Sequence, residues 1–152
     1  MRSRSFGFVV FEGPNELIDF GVRNFRTGAN AVQVSPRKKL ATLLDEFKPA
    51  AVIQNDTLFR RTKRHLKIGE ALLQELQKRR IPPKHVTRRE VEKAFQGHSS
   101  NKHAIATVLA QRFPALESKL PSKRKCWQSE NYRMSVFDAA ALAVGYFSRS
   151  LP

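Results

Sequence analysis

The sequence predicts an α/β fold in which an antiparallel hairpin feeds a mixed sheet flanked by helices. Three observations carry that expectation. Apolar residues alternate in the N-terminal third and recur at helical spacing afterwards. One run, Ala50-Ala51-Val52-Ile53, is apolar at every position. The predicted order is strand, strand, helix, strand, helix, strand and then helices, with no linker long enough to divide it, so residues 1–152 are expected to form a single domain.

Residues 6–11 are a short apolar run with Phe6, Phe8 and Val10 on one face. Glu12-Gly13-Pro14-Asn15 makes a turn, because Gly and Pro supply the backbone angles a reversal needs. Residues 16–25 return with Leu17, Ile18, Phe20, Val22 and Phe25, completing the hairpin. After a loop at 28–35, Ser35 caps a helix that opens on Pro36. Leu40, Leu43, Leu44 and Phe47 fall at i, i+3, i+4 and i+7 on it, and Pro49 ends it. The all-apolar run at 50–53 reads as a strand covered on both faces, placed in the sheet centre. A long helix is predicted over about 58–79, striped by Leu66, Leu72, Leu73 and Leu76. Gly69 lies on the same side, where it lets another backbone approach at a helix-propensity cost of about 1 kcal/mol. Ile81-Pro82-Pro83 ends that helix; 84–87 reads as a short strand, 88–95 as a short helix and 97–101 as a polar loop. Ile105, Val108, Leu109 and Phe113 mark another helix, 116–133 is irregular and basic, and an apolar helix from 135 to about 148 closes the order. There is no internal repeat and no low-complexity tract.

The chain has 152 residues, of which 41% are hydrophobic, enough for one core and too many for a chain disordered throughout. A single cysteine excludes an intramolecular disulfide framework and any multi-cysteine zinc site. No apolar run approaches the roughly 20 residues that span a bilayer, and no signal peptide opens the sequence, so a reducing, cytoplasmic setting without membrane is expected. Against 13 Asp+Glu stand 28 Lys+Arg, a formal charge of +15 and a pI near 10.8. Such a surplus attracts polyanions, and nucleic acid is the expected partner, with charge alone silent on DNA against RNA.

The basic residues cluster. Arg60, Arg64 and Lys67 fall at i, i+4 and i+7, flanked by Arg61 and Lys63, a helix face that can track phosphates or simply face solvent. Lys78-Arg79-Arg80 sits where cations suit a helix C-terminus. Lys123-Arg124-Lys125-Cys126-Trp127 is more specific: a basic loop carrying an indole can combine phosphate contacts with base stacking, and Trp127 fits a core anchor equally well. Phosphodiester hydrolysis by two cations needs several converging carboxylates. Asp138, which opens an apolar stretch, and Asp56, just past the central strand, are the candidates; a capping Asp and a turn Asp are the plain alternatives. Glu130 is a weaker candidate, and Gln54 cannot replace a carboxylate as an anionic ligand. His98 and His103 read as surface residues, Cys126 as incidental, and no P-loop or dinucleotide-binding fingerprint is present.

Several segments, in order, resemble the RuvC-type Holliday-junction resolvases of the ribonuclease-H-like nuclease superfamily. Arg2-Ser3-Arg4-Ser5-Phe6-Gly7-Phe8-Val9-Val10 is similar to the segment following the family's first catalytic Asp, with its Gly-containing second strand. Leu66-Lys67-Ile68-Gly69-Glu70-Ala71 is similar to the family's Leu-Lys-Leu-Gly helix. Arg89-Glu90-Val91-Glu92-Lys93 through Gly97 to Lys102 resembles its short helix, glycine loop and DNA-binding lysine. Asp138 and Ala141-Leu142-Ala143-Val144 resemble its last helix, which supplies acidic metal ligands.

The resemblance implies a ribonuclease-H-like fold, Mg²⁺- or Mn²⁺-dependent endonuclease chemistry on branched DNA in recombination and repair, and a homodimer. It implies Asp138 as a catalytic and metal-holding residue, with Asp56 as a substitute for a missing partner, and Lys102 with Lys93 as nucleic-acid contacts; Arg60, Arg64, Lys67, Lys123, Arg124 and Lys125 join these contacts through their basic clustering in the sequence. The departures are specific. The family's first Asp falls before Met1, its second carboxylate maps to Gln54, and Ala140 stands where the last helix carries a second acid. The expectation is a chain that begins at an internal Met without the first strand, which would leave an open sheet edge. The alternatives are a degenerate relative that binds without cutting, and an RNA-binding or RNA-processing factor.

Overall fold

The computed structural model describes residues 5–24, 36–55, 63–97, 101–123, 125, 127 and 133–150. The secondary structure follows the sequence closely. Strands β1 (Ser5–Gly13) and β2 (Glu16–Asn24) form the hairpin, reversing at Pro14-Asn15. Helix α1 (Pro36–Phe47) opens on its proline, and Lys48 then takes a left-handed φ of 44° while its N–H donates to the Leu44 carbonyl at 2.9 Å. Strand β3 (Val52–Asn55) precedes α2 (Lys63–Arg79), which ends the same way, with Arg80 at φ 56° and the Ile81 N–H donating to the Leu76 carbonyl. Left-handed caps of this kind satisfy orphan carbonyls, and the prolines that follow prevent either helix from continuing. Strand β4 (Pro83–Val86), α3 (Arg88–Ala94), α4 (Lys102–Arg112), a 3₁₀ helix (Pro114–Lys119) and α5 (Met134–Ser150) complete the order. The 3₁₀ helix occupies part of the stretch expected to be irregular.

The expected hairpin and parallel strands are both present, as two two-stranded sheets among the described residues. Strand β3 pairs with β4 in parallel, Val52 opposite Pro83 and Gln54 opposite His85. Val52 and Ile53 are half-buried, so β3 is less covered than a sheet-centre strand would be.

The fold comprises two compact units, Met1–Phe6 with Arg23–Thr87, and Gly7–Val22 with Arg88–Pro152. In the first, α1 packs on α2; α1 buries Leu40 and Leu44, and α2 buries Ile68, Leu72 and Leu76. Leu73, expected in the stripe, is 38% exposed. Glu75 is buried between two arginines: Arg37 Nε donates to it at 2.5 Å, and Arg79 Nη1 also pairs with it. Arg79 Nε reaches Asp45 at 2.9 Å.

The second unit contains a contiguous core of Phe95, Ala106, Leu109, Phe113, Leu116, Val136, Phe137, Ala140 and Val144 with their neighbours. Helices α3 and α4 both pack on α5. The hairpin covers this core with Val9, Phe11, Leu17, Phe20 and Val22. Phe11 makes edge contacts with Phe113 at 5.2 Å and Phe147 at 6.0 Å. Alternation would put Leu17 and Phe20 on opposite faces, yet both pack here. Between them the Asp19 carboxylate accepts the Phe20 N–H at 2.8 Å. Arg112, at the end of α4, holds the hairpin turn through the Pro14 carbonyl and Asn15 Oδ1.

Candidate nucleic-acid interface

Helix α5 presents Asp138 because its apolar positions are committed elsewhere. Val136, Phe137, Ala140, Ala141 and Val144 are buried, which leaves Asp138 on the flank with a side chain 42% exposed. Lys102, the first residue of α4, brings Nζ to 3.6 Å from Asp138 Oδ2. An ion pair this open to water contributes at most about 1 kcal/mol, so it holds the carboxylate weakly.

A lysine at a helix N-terminus opposes the macrodipole, and α4 has no acid in its first turn. Asn101 caps the helix by accepting the His103 N–H at 2.8 Å, satisfying one of the orphan donors there. The His103 ring lies 3.1 Å from the Pro121 carbonyl through Nε2. A carbonyl only accepts, so Nε2 carries the proton. His103 is thus half-buried and bonded, a more structural position than the surface role expected of it. Its bond ties the segment after the 3₁₀ helix to the start of α4. That segment carries Lys123 and Lys125, both exposed. Lys123 lines a cavity of about 270 Å³ with Asn101, His103 and Ala104. The Lys125 ammonium sits 5.2 Å from the Trp127 ring centroid, and the indole is 74% exposed. The core-anchor alternative for Trp127 is thereby set aside.

The structure therefore brings Lys102 to Asp138, and puts Lys123 beside the start of α4. Lys93 is exposed in the last turn of α3, where Glu92 pairs with Arg88 at 2.9 Å. Asp56, Arg60, Arg124 and Glu130 lie outside the described residues, and Arg64 and Lys67 lie on α2 outside the described side chains. Gln54, in the first unit, is 8% exposed, and its Nε2 has no hydrogen-bond partner among the described residues.

Among the described residues no group of three His, Cys, Asp or Glu is placed to hold an ion. Asp138 is paired with the Lys102 ammonium. No helix is long and apolar enough to cross a membrane among the described residues.

The fold defined by this hairpin, parallel strand pair and set of flanking helices is RuvC-like, of the ribonuclease-H type. The chain is similar to the solved structure of Thermus thermophilus RuvC over 96% of its length and 89% of that chain, with a TM-score of 0.62 at 19% identity. It is also similar to T. thermophilus RuvC in complex with a Holliday junction substrate, over 88% of this chain and 80% of that one, with a TM-score of 0.56 at 17% identity. No protein-family model and no curated protein sequence matches this chain.

Proposed function

We propose that this protein binds nucleic acid, with branched or duplex DNA as its ligand, through basic side chains displayed on a RuvC-like fold. The observation that carries the reading is the +15 charge borne by a fold shared with a RuvC solved on a Holliday junction. Lys102, Lys93, Lys123 and Lys125 are the proposed phosphate contacts among the described side chains. Arg60, Arg64, Lys67 and Arg124 join them on the strength of their spacing in the sequence. Likeness to RuvC over 96% of the chain supports treating residues 1–152 as one ribonuclease-H-like domain. A homodimer would match the two symmetric strands of a junction.

Endonuclease activity is the second reading. It is favoured by Asp138, which keeps 42% of its side chain exposed in the last helix, under a weak ion pair that a competing cation can displace. In that reading Asp138 and Asp56 would be the ligands for Mg²⁺ or Mn²⁺. The described donors fall short of what two-cation hydrolysis requires, so binding is the function put first.

Incubating a labelled four-way junction with the protein and Mg²⁺ or Mn²⁺ separates the readings. Binding without cleavage is the expected result. Cleavage that Asp138→Asn abolishes, with binding retained, would establish the endonuclease instead. Preference for duplex RNA over junction DNA in competition would move the reading to an RNA-binding factor.

A further inference from the structure

Trp127 is the chain's one tryptophan, and it stands 74% exposed. An indole in water forfeits the large apolar contact that such a ring normally makes in a core. The Lys125 ammonium lies 5.2 Å from the ring centroid, within cation–π range, and Lys123 is exposed nearby in the sequence. The His103–Pro121 hydrogen bond ties the preceding part of this segment to α4, so the indole follows a secured stretch of chain.

We infer that Trp127 is a stacking platform for an unstacked nucleobase, with Lys123 and Lys125 contacting the flanking phosphates. The inference rests on the nucleic-acid-binding reading and deepens it by naming the substrate feature recognised. A base inside a duplex has both faces covered by its neighbours. The indole therefore selects a base whose face is open, at a branch point or in a single strand. The Lys125 ammonium against the ring and the +15 charge favour a polyanion over a protein partner.

Because Trp127 is the sole tryptophan, its emission, excited where tyrosine does not absorb, reports directly on the site. The 152-residue chain is titrated with a single-stranded oligonucleotide and with a blunt duplex of equal length. Quenching by the single strand, well beyond that by the duplex, is expected. Trp127→Ala is expected to weaken single-strand binding by roughly tenfold. Its salt slope should stay unchanged, because no phosphate contact is removed; Lys125→Ala should instead lower the slope by about one. Trp127→Phe, which keeps a π-face, should recover part of the loss. Salt-dependent binding with unaltered emission, or Trp127→Ala binding as tightly as the parent, would overturn the stacking role and leave the binding reading intact. Emission that changes with protein concentration alone would assign the ring to contact between copies and overturn it too. Absence of binding to every nucleic acid would remove both proposals.

Discussion

Gly7 has no room for a side chain. A Cβ there would lie 2.4 Å from the backbone carbon of Ser135 and 2.5 Å from its carbonyl oxygen. The obstacle is backbone of α5, which cannot swing aside as the end of a flexible side chain would. Gly7→Ala is accordingly expected to destabilise the protein by about 1–3 kcal/mol, the usual range for overpacking. A lowered urea midpoint checks it, and a parental midpoint would mean that β1 and α5 do not meet at this point. The sequence showed a glycine inside a strand, which marks a close approach without saying to what. Asp138 was legible in a similar way: an acid opening an apolar helix could be singled out, but its partner could not. Lys102 lies far away in sequence, and only packing of α4 on α5 brings it within 3.6 Å.

At the scale of elements, most boundaries were legible because local chemistry sets them. Pro36 opens α1, Pro49 follows its end, and Ile81-Pro82-Pro83 closes α2 and leads into β4. The ion-pair network joining α1 and α2 was not legible. A Glu among leucines reads as a solvent-facing residue, yet Glu75 falls between Leu72 and Leu76 on the buried side of α2. The available signal was the i,i+4 spacing of Glu75 and Arg79. Hydrogen bonds from Arg37 first and then Arg79 hold the Glu75 carboxyl below its ordinary value, and Arg79 does the same for Asp45. A depressed carboxylate stabilises the fold fully above its unfolded pKa, and that contribution fades as pH falls through the folded value. The network should therefore weaken as the pH is taken below about 4.5. Glu75→Gln removes the charge that both arginines face and is expected to cost about 2 kcal/mol at neutral pH. Thermal unfolding across the acid range checks this: the parent should lose stability more steeply than Glu75→Gln below that pH. Parallel curves would show that the network contributes nothing to acid sensitivity.

At the scale of the whole molecule, the charge was fully legible and the arrangement that displays it was not. Composition alone gave +15, but the chain's division into two compact units depends on contacts that no local pattern reports. The charge also sets the most general test of the proposed function. At about 0.1 M salt the Debye length is roughly 10 Å, so a diffuse surplus is largely screened and only cations held against phosphates retain their effect. Each such contact releases condensed counterions, which makes affinity a power law in salt. About six contacts, drawn from Lys102, Lys93, Lys123, Lys125 and the basic residues of 60–67, give a slope of log K against log salt near −5. Replacing Lys93 or Lys123 by Ala should each reduce the magnitude by about one and weaken binding to all sequences alike, as expected for backbone contacts. Lys102→Ala is expected to weaken binding more than either, because it removes a cation and also takes from Asp138 the ammonium 3.6 Å away, so that the carboxylate repels phosphate more strongly. The pair Lys102→Ala with Asp138→Asn removes that repulsion and should restore affinity relative to Lys102→Ala alone. A slope indistinguishable from zero across the titration would withdraw the nucleic-acid reading, since a protein this basic has no route to tight DNA binding that bypasses its cations.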